Sequence, residues 1–362
     1  MALHQQFSGR VQISNIGSLM HDAQGLARYR RIAIITIAAV YFLILVGASV
    51  RATGAGMGCP DWPTCFGSWI PPTSEAQLPA NYQEIYADRG YAETRFNPVK
   101  TWIEYLNRLT GVTIGFLILA TALCSWSCRK HDPLIMWASV AAFFMVSFQG
   151  WLGSMVVASN LQPGMITVHM LMALAIVGVL LFALARARRG ISVSQSITGL
   201  DPRFRRWLYV ILGMTVLQVA MGTQVREMVD YLNHVQGEER SAWVAALPWF
   251  FYIHRSFSAL VLFANIWLLW MLVNSLGWQH TLSRLTAAML TVIVLAIISG
   301  ATLGHLGMPA FIQPAHLLSA SLLFGLQFLI WMEYRNGAES KPSESGSNTP
   351  GGYSGTVNSA TG

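Results

Sequence analysis

The sequence predicts an all-α integral membrane protein in which eight transmembrane helices form two four-helix bundles related by a pseudo-two-fold axis. Three observations carry this prediction: an apolar, charge-poor composition, eight apolar runs of spanning length, and a two-fold repetition of polar landmarks along the chain. Apolar residues make up 54% of the 362, charged residues only 11%, and the mean hydropathy is +0.46. Soluble domains carry about 25% charge, so the composition excludes that class.

A helix needs roughly 20 apolar residues to cross the hydrocarbon layer. Runs of that kind, bounded by charged or Gly/Pro-rich breaks, fall at about residues 32–52, 103–125, 133–153, 165–185, 207–225, 250–274, 284–304 and 312–333. The first follows a mostly polar lead-in and is not closed by a small-residue cleavage site, so it reads as a retained span rather than a cleaved signal.

Orientation comes from the basic residues. Of 23 Lys and Arg, 15 lie before the first span, after the last, or in the alternate connections between them. Such residues are retained on the cytoplasmic side, so both termini are expected in the cytoplasm of a multi-pass inner (plasma) membrane protein. The other side then holds 23 − 15 = 8 basic residues, and the formal net charge of +7 is a topology signal. Membrane lipid is the expected surrounding; no nucleic-acid partner is read from this charge.

The segments follow from these marks. Residues 1–30 form a cytoplasmic N-terminal segment, 31–185 a first four-helix half, 186–206 a basic cytoplasmic linker, 207–334 a second four-helix half, and 335–362 a Gly/Ser/Pro-rich tail expected to be disordered.

Each half repeats the same landmarks in the same order. The first runs Gly47–Arg51 (GASVR), Tyr105–Arg108 (YLNR), Gln149–Gly153 (QGWLG), Gln162–Pro163, then His169. The second runs Gly222–Arg226 (GTQVR), Tyr252–Arg255 (YIHR), Ser299–Gly304 (SGATLG), Gln313–Pro314, then His316. The interval from the polar residue of the YxxR element to the last histidine is identical, 169 − 107 = 62 and 316 − 254 = 62. Two halves with an even number of spans start on the same side, so their axis should lie along the membrane normal.

Of nine histidines, only His169, His254 and His316 sit inside spans, each near the start of an even-numbered one, and Asn107 takes the fourth equivalent place. Ligand-capable residues within a span are costly and mark a functional site by default. Imidazoles facing each other across a four-helix bundle suit bis-histidine haem ligation; structural packing histidines are the competing reading. Zinc or copper is disfavoured, because no carboxylate or thiol stands near the second-half pair.

The halves differ. His254 and His316 make a complete pair, suited to an electron-carrying haem, whereas His169 stands opposite Asn107 with Glu104 on the same helical face. Glu104 reads either as an acid in a reaction site or as an interfacial carboxylate paired with Arg108. Arg51, Arg108, Arg226 and Arg255 recur in register; Arg108 and Arg255 are candidates for haem propionates, with interfacial snorkelling as the alternative. Cys124 and Cys128 read as apolar filler. Cys59 and Cys65, six positions apart just beyond the first span, are ambiguous on spacing alone.

The sequence resembles the heme A synthase family, membrane enzymes that convert heme O to heme A for haem-copper oxidases. The resemblance covers about Arg31 to Tyr334 and rests on Val50–Gly67 (VRATGAGMGCPDWPTCFG), on IEYLNR at Ile103–Arg108, on the repeated glutamine-proline and histidine elements, and on the duplication. It implies a heme b cofactor on His254 and His316. The substrate heme O is then held in the first half by His169, where its ring methyl is oxidised to a formyl group by successive hydroxylation. Glu104 is then a functional acid, and Cys59 and Cys65 an extracytoplasmic disulfide. Asn107 departs from the family pattern, which has histidine there. Heme O synthase and cytochrome oxidase assembly factors are the partners the resemblance implies, and it allows homo-oligomers. A di-haem membrane electron carrier and a haem-handling assembly protein are the alternative functions.

Overall fold

The structure, a computed structural model, describes residues 2–92, 94–189, 197, 200–236 and 243–339. Eight long helices dominate it: α1 (Ala2–Ala52), α2 (Pro98–Ser125), α3 (Pro133–Ala158), α4 (Pro163–Ala187), α5 (Phe204–Gln236), α6 (Trp249–Leu276), α7 (Thr281–His305) and α8 (Ile312–Glu339). All eight contain a stretch long and apolar enough to cross a membrane, and each coincides with one of the predicted runs. The chain is a multi-pass, all-helical membrane protein. Among the described residues there is no β-strand, only an isolated bridge between Cys65 and Ser68.

Local chemistry sets the helix boundaries. Asn97 and Asp132 cap α2 and α3 through their side chains, accepting from the N–H groups of Lys100 (3.1 Å) and Leu134 (3.0 Å), and each is followed by proline at the first helical position. His280 caps α7 through Nδ1, which accepts from the Leu282 N–H at 3.2 Å. Large apolar side chains such as Phe116, Trp137, Phe144 and Phe263 stand exposed on the helix surfaces, the sides a bilayer would cover.

Two elements run past their predicted limits. Helix α1 starts at Ala2, well ahead of the apolar run. Helix α8 continues to Glu339, so 335–339 are helical instead of belonging to the tail. The Arg189 Nε–H donates to Asn336 Oδ1 at 2.9 Å, a tie from the end of α4 that supports the added turn. The rest of the tail, with its expected disorder, and most of the linker between α4 and α5 lie outside the described residues.

Neighbouring helices pack in sequence order, α1 on α2, α2 on α3, α3 on α4, and α4 back on α1; α5 on α6, α6 on α7, α7 on α8, and α8 back on α5. Contacts between these groups run from α8 to α1 and α4, and from α4 to α5. One apolar core draws mainly on α1 to α4, around Tyr29, Ile37, Ile118 and Leu180, and a second on α5 to α8, around Phe204, Leu268, Met289 and Ile330.

The cores differ at matched positions. Thr215, Asn265 and Gln327 are buried in the second half. The repeat offsets place Val40, Ile118 and Leu180 opposite them, since 215 − 40 = 175, as for the glycines (222 − 47 = 175), and 265 − 118 = 327 − 180 = 147, as for the histidines (316 − 169 = 147). Buried polar groups of the first core are paired, Thr36 with Thr121 at 2.7 Å and Tyr29 with Ser139 at 2.7 Å. The Thr215 hydroxyl, Asn265 Oδ1 and both carboxamide atoms of Gln327 find no partner among the described residues.

Between α1 and α2 the chain forms a disulfide-closed loop segment that packs on α2. Cys59 and Cys65 are joined in a disulfide with a Cα–Cα distance of 4.8 Å, and both are buried in a cluster with Phe66, Tyr82 and Tyr91. Asp61 organises the loop they close, accepting from the N–H groups of Phe66 (2.6 Å) and Gly67 (2.8 Å) and from the Thr64 hydroxyl.

Candidate functional site

The four register positions singled out in the sequence lie on α2, α4, α6 and α8, and each faces a glycine on the preceding odd-numbered helix. A Cβ built on Gly222 would stand 3.1 Å from His254 Cε1; on Gly300, 3.0 Å from His316 Cε1; on Gly153, 3.5 Å from His169 Cε1; on Gly47, 3.8 Å from Asn107 Oδ1. Glycine here is a matter of space: any larger side chain at 222 or 300 would push the imidazole out of place.

The hydrogen bonds around the rings differ. His316 Nδ1 lies 3.0 Å from both the Ala296 carbonyl and the Ser299 hydroxyl. His169 Nδ1 and His254 Nδ1 are buried without a partner. Beside each of these two stands a glutamine: Gln149 Nε2 donates to the His169 carbonyl at 2.9 Å, and Gln218 Nε2 to the His254 carbonyl at 3.0 Å.

On α2 the residues next to Asn107 turn towards the disulfide loop. Arg108 donates through Nε (3.1 Å) and Nη2 (2.5 Å) to Glu104 Oε1, through Nη2 to the Cys59 carbonyl (3.0 Å), and through Nη1 to the carbonyls of Asp61 (2.6 Å) and Thr64 (3.0 Å). Guanidinium has five N–H groups, and these five bonds use all of them. Glu104 Oε2 accepts from the Cys59 N–H at 2.8 Å, and the residue is buried to 3% exposure. Asn107 Oδ1, one turn from Glu104, is buried and has no partner. Arg255 is exposed and lies over the Tyr252 ring, 5.6 Å from its centroid.

Arg51 of α1 and Arg226 of α5, equivalent in the repeat, lie side by side. Both pair with Asp230, Arg226 at 2.6 Å; Arg226 also donates to the Arg51 carbonyl at 3.1 Å and to Gln313 Oε1. Tyr91, beneath the disulfide, donates its hydroxyl to the Met57 carbonyl at 2.8 Å. Burial, reinforced by the nearby Glu104 carboxylate, pushes the Tyr91 phenol above its usual value.

Residues 30–328 match the family model described as cytochrome oxidase assembly protein. The chain belongs to that family. This member is 30% identical to the heme A synthase of Shewanella oneidensis over 186 residues, 51% of this chain and 53% of the relative. It is 24% identical to the heme A synthase of Geobacillus kaustophilus over 318 residues, 83% of this chain and 90% of the relative. To the heme A synthase of Shouchella clausii it is 32% identical over 126 residues, 34% of each chain. The aligned part thus spans about half the length of the Shewanella protein and a third of the Shouchella one.

The residues present fit a haem. Imidazoles seated against glycines, two with an unpaired buried Nδ1 and one whose Nδ1 is committed to a carbonyl, are suited to offer Nε2 to an iron. Sequence reasoning identified all three histidines but gave no role to Gln149, Gln218 or Asp230. A glutamine four positions before the facing glycine in both α3 and α5 was the available signal for the first two.

Proposed function

We propose that this family member is a heme A synthase. It oxidises the ring methyl of heme O to a formyl group, by successive hydroxylation to a hydrate that loses water. The observation that carries the reading is the asymmetry of the duplicated site: a complete histidine pair in one half, and in the other a single histidine opposite an open amide. For a pure electron carrier the complete pair would suffice and Glu104 and the cysteine loop have no use, whereas an enzyme needs a site that can load and release its substrate.

In this reading the halves are two four-helix bundles related by a pseudo-two-fold axis, with both termini in the cytoplasm and the disulfide loop outside. His254 and His316 would hold a heme b, which supplies one-electron transfer when bound. His169 holds the substrate heme O. Asn107 leaves the opposite face open, and its unpartnered Oδ1 can accept a hydrogen bond from a water there. Glu104, the functional acid of this reading, is held beside the substrate by Arg108 and the Cys59 N–H, which also fasten the loop to α2. The reaction consumes the product of a heme O synthase and supplies a haem-copper oxidase.

The test is chromatography of haems extracted from cells that make heme O, express this protein and lack another source of heme A. Heme A or its hydroxylated intermediate supports the reading. Heme O and heme b alone, with the protein folded and haem-loaded, refute it in favour of a carrier or haem-handling protein.

A further inference from the structure

We propose that the cavity lined by Arg51, Lys100 and Arg226 is an anion site that takes the two propionate carboxylates of the heme O held in the first half. The inference rests on the haem reading above and deepens it, by naming the residues that recognise the charged edge of the substrate.

The cavity, of about 50 Å³, is lined by residues from the end of α1, the start of α2, α5 and the start of α8. Its charged lining is Arg51, Lys100, Arg226 and Asp230, three cations and one carboxylate, a net charge of 3 − 1 = +2. Arg51 and Arg226 are each only 19% exposed. Taking uncompensated charge out of water is costly, and a ligand that brings two carboxylates balances this excess.

The cations also have donors to give. Arg51 spends one N–H on Asp230 and one on the Met170 sulfur at 3.9 Å; among the described residues the other three of its five N–H groups have no partner. The Lys100 ammonium makes no hydrogen bond or ion pair among these residues, and it turns back over the end of α1, 3.8 Å from a Cβ built on Gly54. Arg226 donates to Asp230, to Gln313 Oε1 and to the Arg51 carbonyl, so it holds Arg51 in place while adding its charge. Guanidinium and ammonium groups in this arrangement suit carboxylate oxygens.

Position ties the cavity to the first-half site. Arg51 is one turn beyond Gly47, the glycine that faces Asn107, and its guanidinium reaches Met170, the residue after His169. Lys100 precedes Asn107 by 107 − 100 = 7 residues, two turns, and therefore shares its face of α2. A haem carries both its carboxylates on one edge. A ring held between His169 and Asn107 needs cations past that edge only, and Arg51 and Lys100 stand one and two turns beyond the ligand level.

The experiment uses the full-length protein purified from cells that do not make heme O. It is titrated with heme O and with heme O dimethyl ester, in which both propionates are uncharged, and binding is followed by the haem absorption band. Lys100 is exposed and holds no ion pair among the described residues, so its variants should fold. Lys100→Gln should weaken heme O binding about 3- to 10-fold and leave the affinity for the ester unchanged. Lys100→Glu should weaken heme O further, and Lys100→Arg should keep it near wild type. Arg51→Gln should cost heme O about tenfold or more; if it does not accumulate, the Lys100 variants decide alone. A lysine with a merely structural role would not separate the acid from the ester. Equal weakening of both forms in Lys100→Gln, or no weakening of heme O, overturns the proposal. An anionic lipid headgroup is the other source of such an oxyanion. If Lys100→Gln lowers the phospholipid phosphorus that purifies with the protein while heme O binds as in wild type, the site belongs to lipid and the proposal fails. Wild-type protein that binds neither heme O nor its ester refutes the haem reading itself, a result distinct from these.

Discussion

Arg108→Met tests whether the disulfide loop is held on α2 by one guanidinium. The substitution deletes the five bonds to Glu104, Cys59, Asp61 and Thr64 and leaves the Glu104 carboxylate without its cation. The pair is well buried, with side-chain exposures of 14% for Arg108 and 4% for Glu104. Removing one partner of a buried ion pair costs about 3–5 kcal/mol, chiefly because the remaining charge is stranded. Arg108→Lys keeps the charge but has three donors for five acceptor contacts, and should lose less. Because the stranded charge is the main penalty, the double variant Glu104→Leu/Arg108→Met should lose less than the sum of the two single changes. Cys59 is tied at both its N–H and its carbonyl, and both cysteines are buried, so weakening the anchor should also admit reductant. The assays are thermal unfolding in detergent and the rate at which Cys59 and Cys65 become reactive towards a thiol label under mild reductant. Wild-type unfolding and wild-type labelling in Arg108→Met would refute the reasoning.

Gln327→Leu copies Leu180 of the first core; removing two unpartnered buried polar atoms should stabilise the protein by about 1–3 kcal/mol, read as a higher unfolding midpoint. Gly222→Val drives a side chain into the space of His254, and should cut the haem-to-protein ratio at a cost in stability of about 1–3 kcal/mol. His169→Ala should remove the substrate haem and abolish turnover, whereas Asn107→Ala should slow turnover and leave haem content unchanged; full turnover in His169→Ala would contradict the proposed substrate site. Tyr91 has its pKa raised in the fold, so its contribution is present below the ordinary tyrosine value of about 10 and is lost as pH climbs past it. Unfolding midpoints should therefore fall above that pH, and Tyr91→Phe should flatten this fall while costing about 1 kcal/mol at neutral pH for the bond to Met57.

The sequence by itself determined the helices, their number and the residues that mark the candidate site. A membrane span must satisfy its backbone within one segment, so hydropathy and local caps such as Asn97 and Asp132 are enough to place it, and the equal 62-residue intervals identify His169, His254 and His316 as members of one set. The tertiary structure decided what those residues touch. Glu104 and Arg108 find their partners 44 to 49 positions away, Gln149 and Gln218 reach across to other helices, and the ring seats on Gly153, Gly222 and Gly300 exist only when two helices meet. Such contacts depend on how the helices rotate and approach one another, a matter of side-chain volume and shape that the period of an apolar run does not encode. Arg108 is a further case: its charge, its depth and its pairing with Glu104 were legible in the sequence, and the direction of its other N–H groups towards the disulfide loop was not.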